Sequence, residues 1–150
     1  MDAFELLKKD HEKVSGIFEK LDATTERGVK TREELFARLK TELDIHSQIE
    51  EQLLYPILKE AKETHEITLE AVEEHHVVKQ LLAELEELPK DDETWGAKLT
   101  VLKENVEHHV EEEEDEMFKD ARKVLNSEQL EELGTRMQEA KEQKKARAAG

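Results

Sequence analysis

Apolar residues recur at a helical interval along almost the whole chain. Phe4, Leu7, Val14, Phe18 and Leu21 follow one another at steps of 3, 7, 4 and 3, which predicts a first amphipathic helix. The place between Leu7 and Val14 in that stripe is held by His11. A turn is expected over 22–30, with Gly28 as breaker. Thr31 and Glu34 read as a capping box that opens a second helix. That helix carries Leu35, Leu39, Leu43, His46, Glu50, Leu53 and Ile57 on one stripe, and Pro56 should kink or end it. A third helix begins near Thr64 and carries Ala71, Val72, His75, Val78, Leu82 and Leu85. After the loop at Leu88-Pro89-Lys90-Asp91-Asp92, a fourth carries Trp95, Leu99, Leu102, Val106, His109, Glu113 and Met117. Asn126-Ser127 is a good cap for a fifth, shorter helix with Leu130, Leu133 and Met137 as its apolar side. The tail from Gln138 is polar, and its Lys141, Lys144, Lys145 and Arg147 suit a frayed helix C-terminus.

Four long helices with short links imply antiparallel neighbours. The expected fold is all-α: an up-down-up-down four-helix bundle with an additional short C-terminal helix. The expected division is a bundle over 1–125 and a helix with polar tail over 126–150. Composition alone is ambiguous, because 41% charged and 36% apolar residues fit disorder as well as amphipathic helices. The periodicity selects helices. With 23 Lys plus Arg against 39 Asp plus Glu, the net charge is 23 − 39 = −16, which argues against nucleic acid and anionic membranes as partners. No apolar run is long enough to span a bilayer, and Met1-Asp2-Ala3-Phe4-Glu5 lacks the features of a signal peptide. There is no Cys, so disulfides, thiolate metal sites and thiol nucleophiles are excluded together. A cytoplasmic location is the expectation.

The chain also repeats itself. After His11 come Val14, Ile17, Phe18 and Leu21; after His75 come Val78, Leu81, Leu82 and Leu85, at the same offsets of three, six, seven and ten. His46 precedes Glu50, Glu51 and Tyr55 as His109 precedes Glu113, Glu114 and Phe118, at four, five and nine. The chain is thus two copies of a helical hairpin, each with one His on its first helix and His-x-x-x-Glu on its second.

Residues four apart on a helix lie about 40° apart around the axis and about 6 Å along it, so each His and Glu of these pairs share a face. That face is the apolar one. His11, His46, Glu50, His75, His109 and Glu113 should therefore meet inside the bundle. Two buried carboxylates need compensation, and no Lys or Arg shares their inward stripe. Four imidazoles and two carboxylates suit two first-row transition ions, iron, manganese or zinc. Neighbouring groups are expected elsewhere. His76 and His108 should face a helix interface or solvent, and His65 should be exposed. The alternative pair His108 with Glu112 fits the spacing but not the repeat. Glu51 and Glu114 are expected at the surface. Tyr55 and Trp95 are expected as packing residues, Tyr55 with the option of hydrogen bonding to a ligand.

These segments resemble the hemerythrin-like, or HHE cation-binding, family, over roughly residues 4–120. The carriers are Asp10-His11-Glu12, the run from Leu43 through His46 and Glu50-Glu51 to Tyr55-Pro56, Glu74-His75-His76, and His109 through Glu113-Glu114 to Phe118. The resemblance implies a four-helix bundle around two non-haem iron ions, oxo- or hydroxo-bridged. It implies one iron held by His11 and His46, the other by His75 and His109, with Glu50 and Glu113 bridging. The oxygen-carrying hemerythrins have a fifth His one turn after the third-helix ligand, and here that position is Lys79. The chain is more similar to bacterial variants associated with peroxide decomposition, oxygen or nitric oxide response, and iron handling. A ferritin-like site would need Glu-x-x-His on two helices, and only Glu73-x-x-His76 matches. Two readings follow from the resemblance. One is a di-iron protein that binds and reacts with oxygen or peroxide, a catalase-like activity included. The other is an iron, oxygen or nitric oxide sensing or iron-handling module without turnover, acting through an unidentified protein partner.

Overall fold

The computed structural model describes residues 1–149, and these form helices and no strand. Gly150, the last residue of the expected C-terminal segment, lies outside them. Helix α1 spans Ala3–Asp22. Asp2 and Glu5 open it as a reciprocal capping box: Asp2 accepts from the Glu5 N–H at 2.9 Å and Glu5 accepts from the Asp2 N–H at 3.4 Å. Helix α2 spans Val29–Ile49 and starts from Gly28 without a side-chain cap, so the expected Thr31–Glu34 box does not form. Its start is set by a tether instead. Buried Arg32 donates to Thr24 Oγ1 at 2.9 Å and to the Lys90 carbonyl at 2.6 Å, tying α2 to the turn before it and to the later loop.

After α2 the backbone widens into a π-helical turn at Glu50–Leu54 and resumes as α3, Tyr55–Glu60. Helix α4 is His65–Glu87 and α5 is Glu93–Glu112. A second π turn at Glu113–Met117 leads into α6, Phe118–Ala121. Where a kink or end was expected near Pro56, which lies in the first turn of α3, the regular α2 ends at Ile49 and gives way to the first π turn. Proline is not its cause, because the second π turn occupies the equivalent place in the repeat with no Pro near it. Each π turn adds a residue, which rotates the residues after it by about 100°. The inward face after Glu50 is therefore Leu54, Tyr55 and Leu58, all buried, and not the expected Leu53 and Ile57, which are only partly buried. On α4, Val72 lies off the inward stripe and is 37% exposed.

Helix α7, Ser127–Ala149, has 23 residues and is not the short element the sequence suggested. Asn126 and Gln129 cap its start reciprocally, at 2.9 Å each way. It packs across α1 and α2, while α1 pairs with α2 and α4 with α5. Its Leu130, Leu133 and Met137 join one apolar cluster with Phe4, Leu7 and Leu54. A second cluster gathers Phe18, Leu21, Leu39, Leu82 and Trp95. The Trp95 indole is fully buried and donates to the Leu85 carbonyl at 3.1 Å. The histidine- and glutamate-bearing turns form a polar layer with no place in either apolar cluster.

Candidate metal centre

That layer contains His11 on α1, His46 on α2, His75 on α4 and His109 on α5, with Glu50 and Glu113 each as the first residue of a π turn. All six are buried, and the two glutamates almost completely. Their donor atoms form two groups close enough to share an ion each, His11, His46 and Glu113 in one and Glu50, His75 and His109 in the other. The ring centroids of His11 and His46 are 4.9 Å apart, and those of His75 and His109 are 4.8 Å apart. The two halves of the site match as the two halves of the sequence do.

Every ring is held from behind by a carboxylate. Nδ1 of His11 meets Glu114 Oε2 at 2.6 Å, and Nδ1 of His46 meets Asp10 Oδ2 at 3.0 Å. Nδ1 of His75 meets Glu51 Oε2 at 3.1 Å, and Nδ1 of His109 meets Glu74 Oε1 at 2.7 Å. A carboxylate only accepts, so each Nδ1 carries the hydrogen and each Nε2 is turned inward. Nε2 of His46 and of His75 both lie 3.1 Å from Glu50 Oε1. Nε2 of His11 lies 3.1 Å from Glu113 Oε1, and Nε2 of His109 lies 3.3 Å from Glu113 Oε2.

Glu51 and Glu114, expected at the surface, thus belong to the site. So do Asp10 and Glu74, to which the sequence pattern assigned no role. The repeat carried the signal: one acidic residue directly precedes each first-helix His, and one directly follows each inward Glu. The two sets work differently. Asp10 and Glu74 hold the second His of their own hairpin, while Glu51 and Glu114 reach across to the first His of the other. His76 and His108 are exposed, as the sequence implied, and His108 pairs with Glu112 at 3.3 Å on the surface.

Despite the close approaches, four buried atoms have no hydrogen-bond partner: His11 Nε2, both oxygens of Glu50, and Glu113 Oε1. Unpartnered polar atoms so deeply buried are rare in folded proteins. Here all of them face one another across the same small space. A family model agrees with that arrangement, since the hemerythrin HHE cation binding domain matches residues 2–121. The chain belongs to the hemerythrin HHE family.

An HHE cation binding domain-containing protein from Mycobacterium kansasii has a crystal structure that superposes with a TM-score of 0.88 at 31% identity, over 99% of this chain and 90% of that one. Uncharacterised proteins of Mycobacterium tuberculosis and Mycobacterium bovis are each 34% identical over 91% of this chain and 83% of their own length. A DNA nickase of Nostoc sp. is 27% identical over 100% of this chain, which spans 42% of that protein. Among the described residues no helix is long and apolar enough to cross a membrane.

The carboxylates and imidazoles of this HHE site shift one another. Burial alone would push Glu113 up, but the Glu50 carboxyl and the His109 and His11 imidazoles crowded against it hold it well below its ordinary value. Burial would pull His109 down, yet Glu113 and Glu74 push it up to about 10. His46 is raised well above its usual range against the same burial, by Glu50, Asp10 and Glu113. Tyr55 is not only a packing residue. Its hydroxyl donates to Glu113 Oε2 at 2.8 Å and lies 3.3 and 3.5 Å from Nε2 of His75 and His109. Burial and the charges of Glu113 and Glu50 push its pKa well up. Its counterpart in the repeat is Phe118, which offers no donor, so Tyr55 distinguishes the His75–His109 side from the other.

Access is narrow. A crevice of about 20 Å³ touches His11, His46, His75 and His109. Two clefts approach it from outside. One, of about 100 Å³ between α2 and α4, is lined by Ser47, Glu51, His75 and Lys79. The other, of about 170 Å³ between α1 and α5, is lined by His11, Val14, Phe18, Val106 and Val110.

Proposed function

We propose that this chain is a non-haem di-iron protein that binds and reacts with oxygen or peroxide. The observation that carries the reading is the set of unpartnered buried atoms on His11, Glu50 and Glu113, facing one another in a layer built from both hairpins. Two cations would satisfy such a set of nitrogen and oxygen donors. His11 and His46 would hold one iron and His75 and His109 the other, with Glu50 and Glu113 shared between them. When bound, the irons supply Lewis acidity and electron transfer. In this reading the first four rods form an up-down-up-down bundle, and α7 is an addition to it.

The protein's own groups do the remaining work. Asp10, Glu51, Glu74 and Glu114 fix the tautomer and aim of each imidazole. Glu113 accepts a hydrogen bond from the Tyr55 hydroxyl, and Tyr55 would offer a further oxygen donor on the His75–His109 side in place of the imidazole absent at Lys79. A positive ion there would reverse the rise in the Tyr55 pKa that the carboxylates cause. The crevice and clefts admit ligands of a few atoms and exclude larger ones, which supports a diatomic molecule or peroxide as the ligand.

Metal analysis of the purified protein tests the first half of this reading, with two irons per chain expected. Zinc or no metal after anaerobic reconstitution with ferrous iron would overturn it. Peroxide decomposition tests the second half. Turnover no faster than that of the same concentration of free iron would move the protein to the sensing or iron-handling class.

A further inference from the structure

Besides Tyr55, the two halves of the site differ in one further electrostatic respect. Four carboxylates back the four histidines, and three of them, Glu51, Glu74 and Glu114, have no Lys or Arg within ion-pair distance among the described residues. The fourth, Asp10, is paired with Lys141. Asp10 is 3% exposed, and its two oxygens face opposite ways: Oδ2 takes the His46 Nδ1–H, and Oδ1 takes the Lys141 ammonium. Lys141 is on α7, twenty residues past the last residue that the family model matches (141 − 121 = 20). Its side chain is itself mostly buried, at 15% exposure, so this contact is not a loose surface pair. The sequence had suggested a frayed basic tail here. Instead α7 lies along α1 and α2, and Lys141 and Lys145 fold onto Asp10 and Glu42.

A carboxylate behind a ligand imidazole makes that imidazole a stronger donor, because it draws on the Nδ1 proton. A cation on the far oxygen takes back part of that negative charge. Screening is weak at a buried pair, so the effect reaches the ring. We propose that Lys141 is a positioning residue that makes the His11–His46 ion the more electron-poor of the two, acting through Asp10 and His46. The inference rests on the di-iron reading above. It assigns to α7, outside the matched domain, a part in setting the redox balance of the centre. Through-bond and through-space effects have the same sign here. Removing the lysine strengthens the His46 donor and removes a nearby positive charge, and both favour the ferric state.

The test is the midpoint potential of the iron-loaded full chain, followed by optical titration. The parent and the Lys141→Met, Lys141→Arg, Lys145→Met and Asp10→Asn variants are compared. Lys141→Met keeps the apolar stem and drops the charge. It should shift the ferric/ferrous balance at one iron about tenfold toward ferric, which is about 59 mV for one electron. Lys141→Arg should restore the parent value. Lys145→Met, which loses a contact to Glu42 from the same helix, should leave the potential alone. Asp10→Asn removes the negative charge behind His46 and should move the potential the opposite way, so it keeps the test decisive if Lys141→Met folds poorly. A purely structural role for α7 would make Lys141→Met and Asp10→Asn move together, and that result overturns the proposal. So does a Lys141→Met potential within twofold of the parent balance while iron content stays at two. Absence of iron from the parent itself would instead sink the di-iron reading and this inference with it.

Discussion

His109 sits beside two carboxylates, Glu113 at 3.3 Å and Glu74 at 2.7 Å, and without an ion it holds a proton up to about pH 10. Its unfolded value is 6.5, so the folded pKa is the higher of the two. The stability this contributes is complete below about pH 6.5 and is lost as the pH rises through about 10. His46 is shifted in the same direction. The melting temperature of the metal-free protein should therefore fall between pH 6.5 and 10. A metal needs the neutral rings and takes the place of those protons. The iron-loaded protein should show no such fall across the same window. Equal pH profiles for the two forms would mean that the histidines do not exchange protons for metal. Six of the inward residues were legible from the sequence, because each lies on an apolar stripe and recurs in the repeat. Glu51 and Glu114 were not, because a residue next to an inward one lies about 100° around an ideal α-helix. At that angle the side chain sits on the helix flank, where a carboxylate still reaches a ring on the neighbouring helix: Asp10 and Glu74 do so from regular α-helix, and Glu51 and Glu114 from the π turns.

The π turns explain where the stripe pattern failed. Up to Glu50 the period is that of an α-helix and the inward residues follow it. Beyond Glu50 the added residue moves the buried set to Leu54, Tyr55 and Leu58, which brings the Tyr55 hydroxyl to the site. No residue type announces a π turn. Only the recurrence of Glu50-to-Tyr55 as Glu113-to-Phe118 marks it, since in both the fifth residue turns inward with the Glu. The capping error at Thr31 has a different origin, because the tether that starts α2 comes from Lys90, remote in sequence. Docking of α7 depends on one close approach. At Gly134 a Cβ would lie 2.7 Å from the Asp2 carbonyl carbon and 2.9 Å from the Ala3 nitrogen, both backbone atoms that cannot move aside cheaply. Gly134→Ala improves helix propensity by about 1 kcal/mol, yet forces α7 away from the start of α1. The net change should be destabilising, by about 1–3 kcal/mol in urea unfolding. A stabilised variant would show that α7 sits less closely on α1 than these distances require.

At the scale of the whole molecule, a charged layer lies among apolar clusters, and that arrangement is costly until the charge is balanced. Phe4, Leu7 and the α7 side chains pack in one cluster and Phe18, Leu39 and Trp95 in the other. Neither can spread into the layer, because the donors of both hairpins occupy it. The repeat made this plan readable: two hairpins with matching histidines place matching donors at one level. What it could not show is α7, which lies outside the repeat and has no partner copy to compare with. Its apolar side was legible, but the reach of Lys141 to Asp10 was not, since it spans 131 residues of sequence. On the di-iron reading proposed above, the layer is also the point at which folding and metal binding would be coupled. A ligand bound only by the folded chain stabilises it by about 2.7 kcal/mol at a hundred times its dissociation constant. At neutral pH occupancy must first displace the His46 and His109 protons, so the gain at a given iron concentration should grow as the pH rises. Removing the metal with a chelator should lower the melting temperature by several degrees, and restoring ferrous iron without oxygen should recover it. His46→Ala should abolish most of that difference while leaving the metal-free melting temperature lowered, because Asp10 and Glu50 each lose one buried contact, Asp10 keeping Lys141 and Glu50 keeping His75. A His46→Ala protein that still gains the full shift on iron addition would show that the ion binds elsewhere.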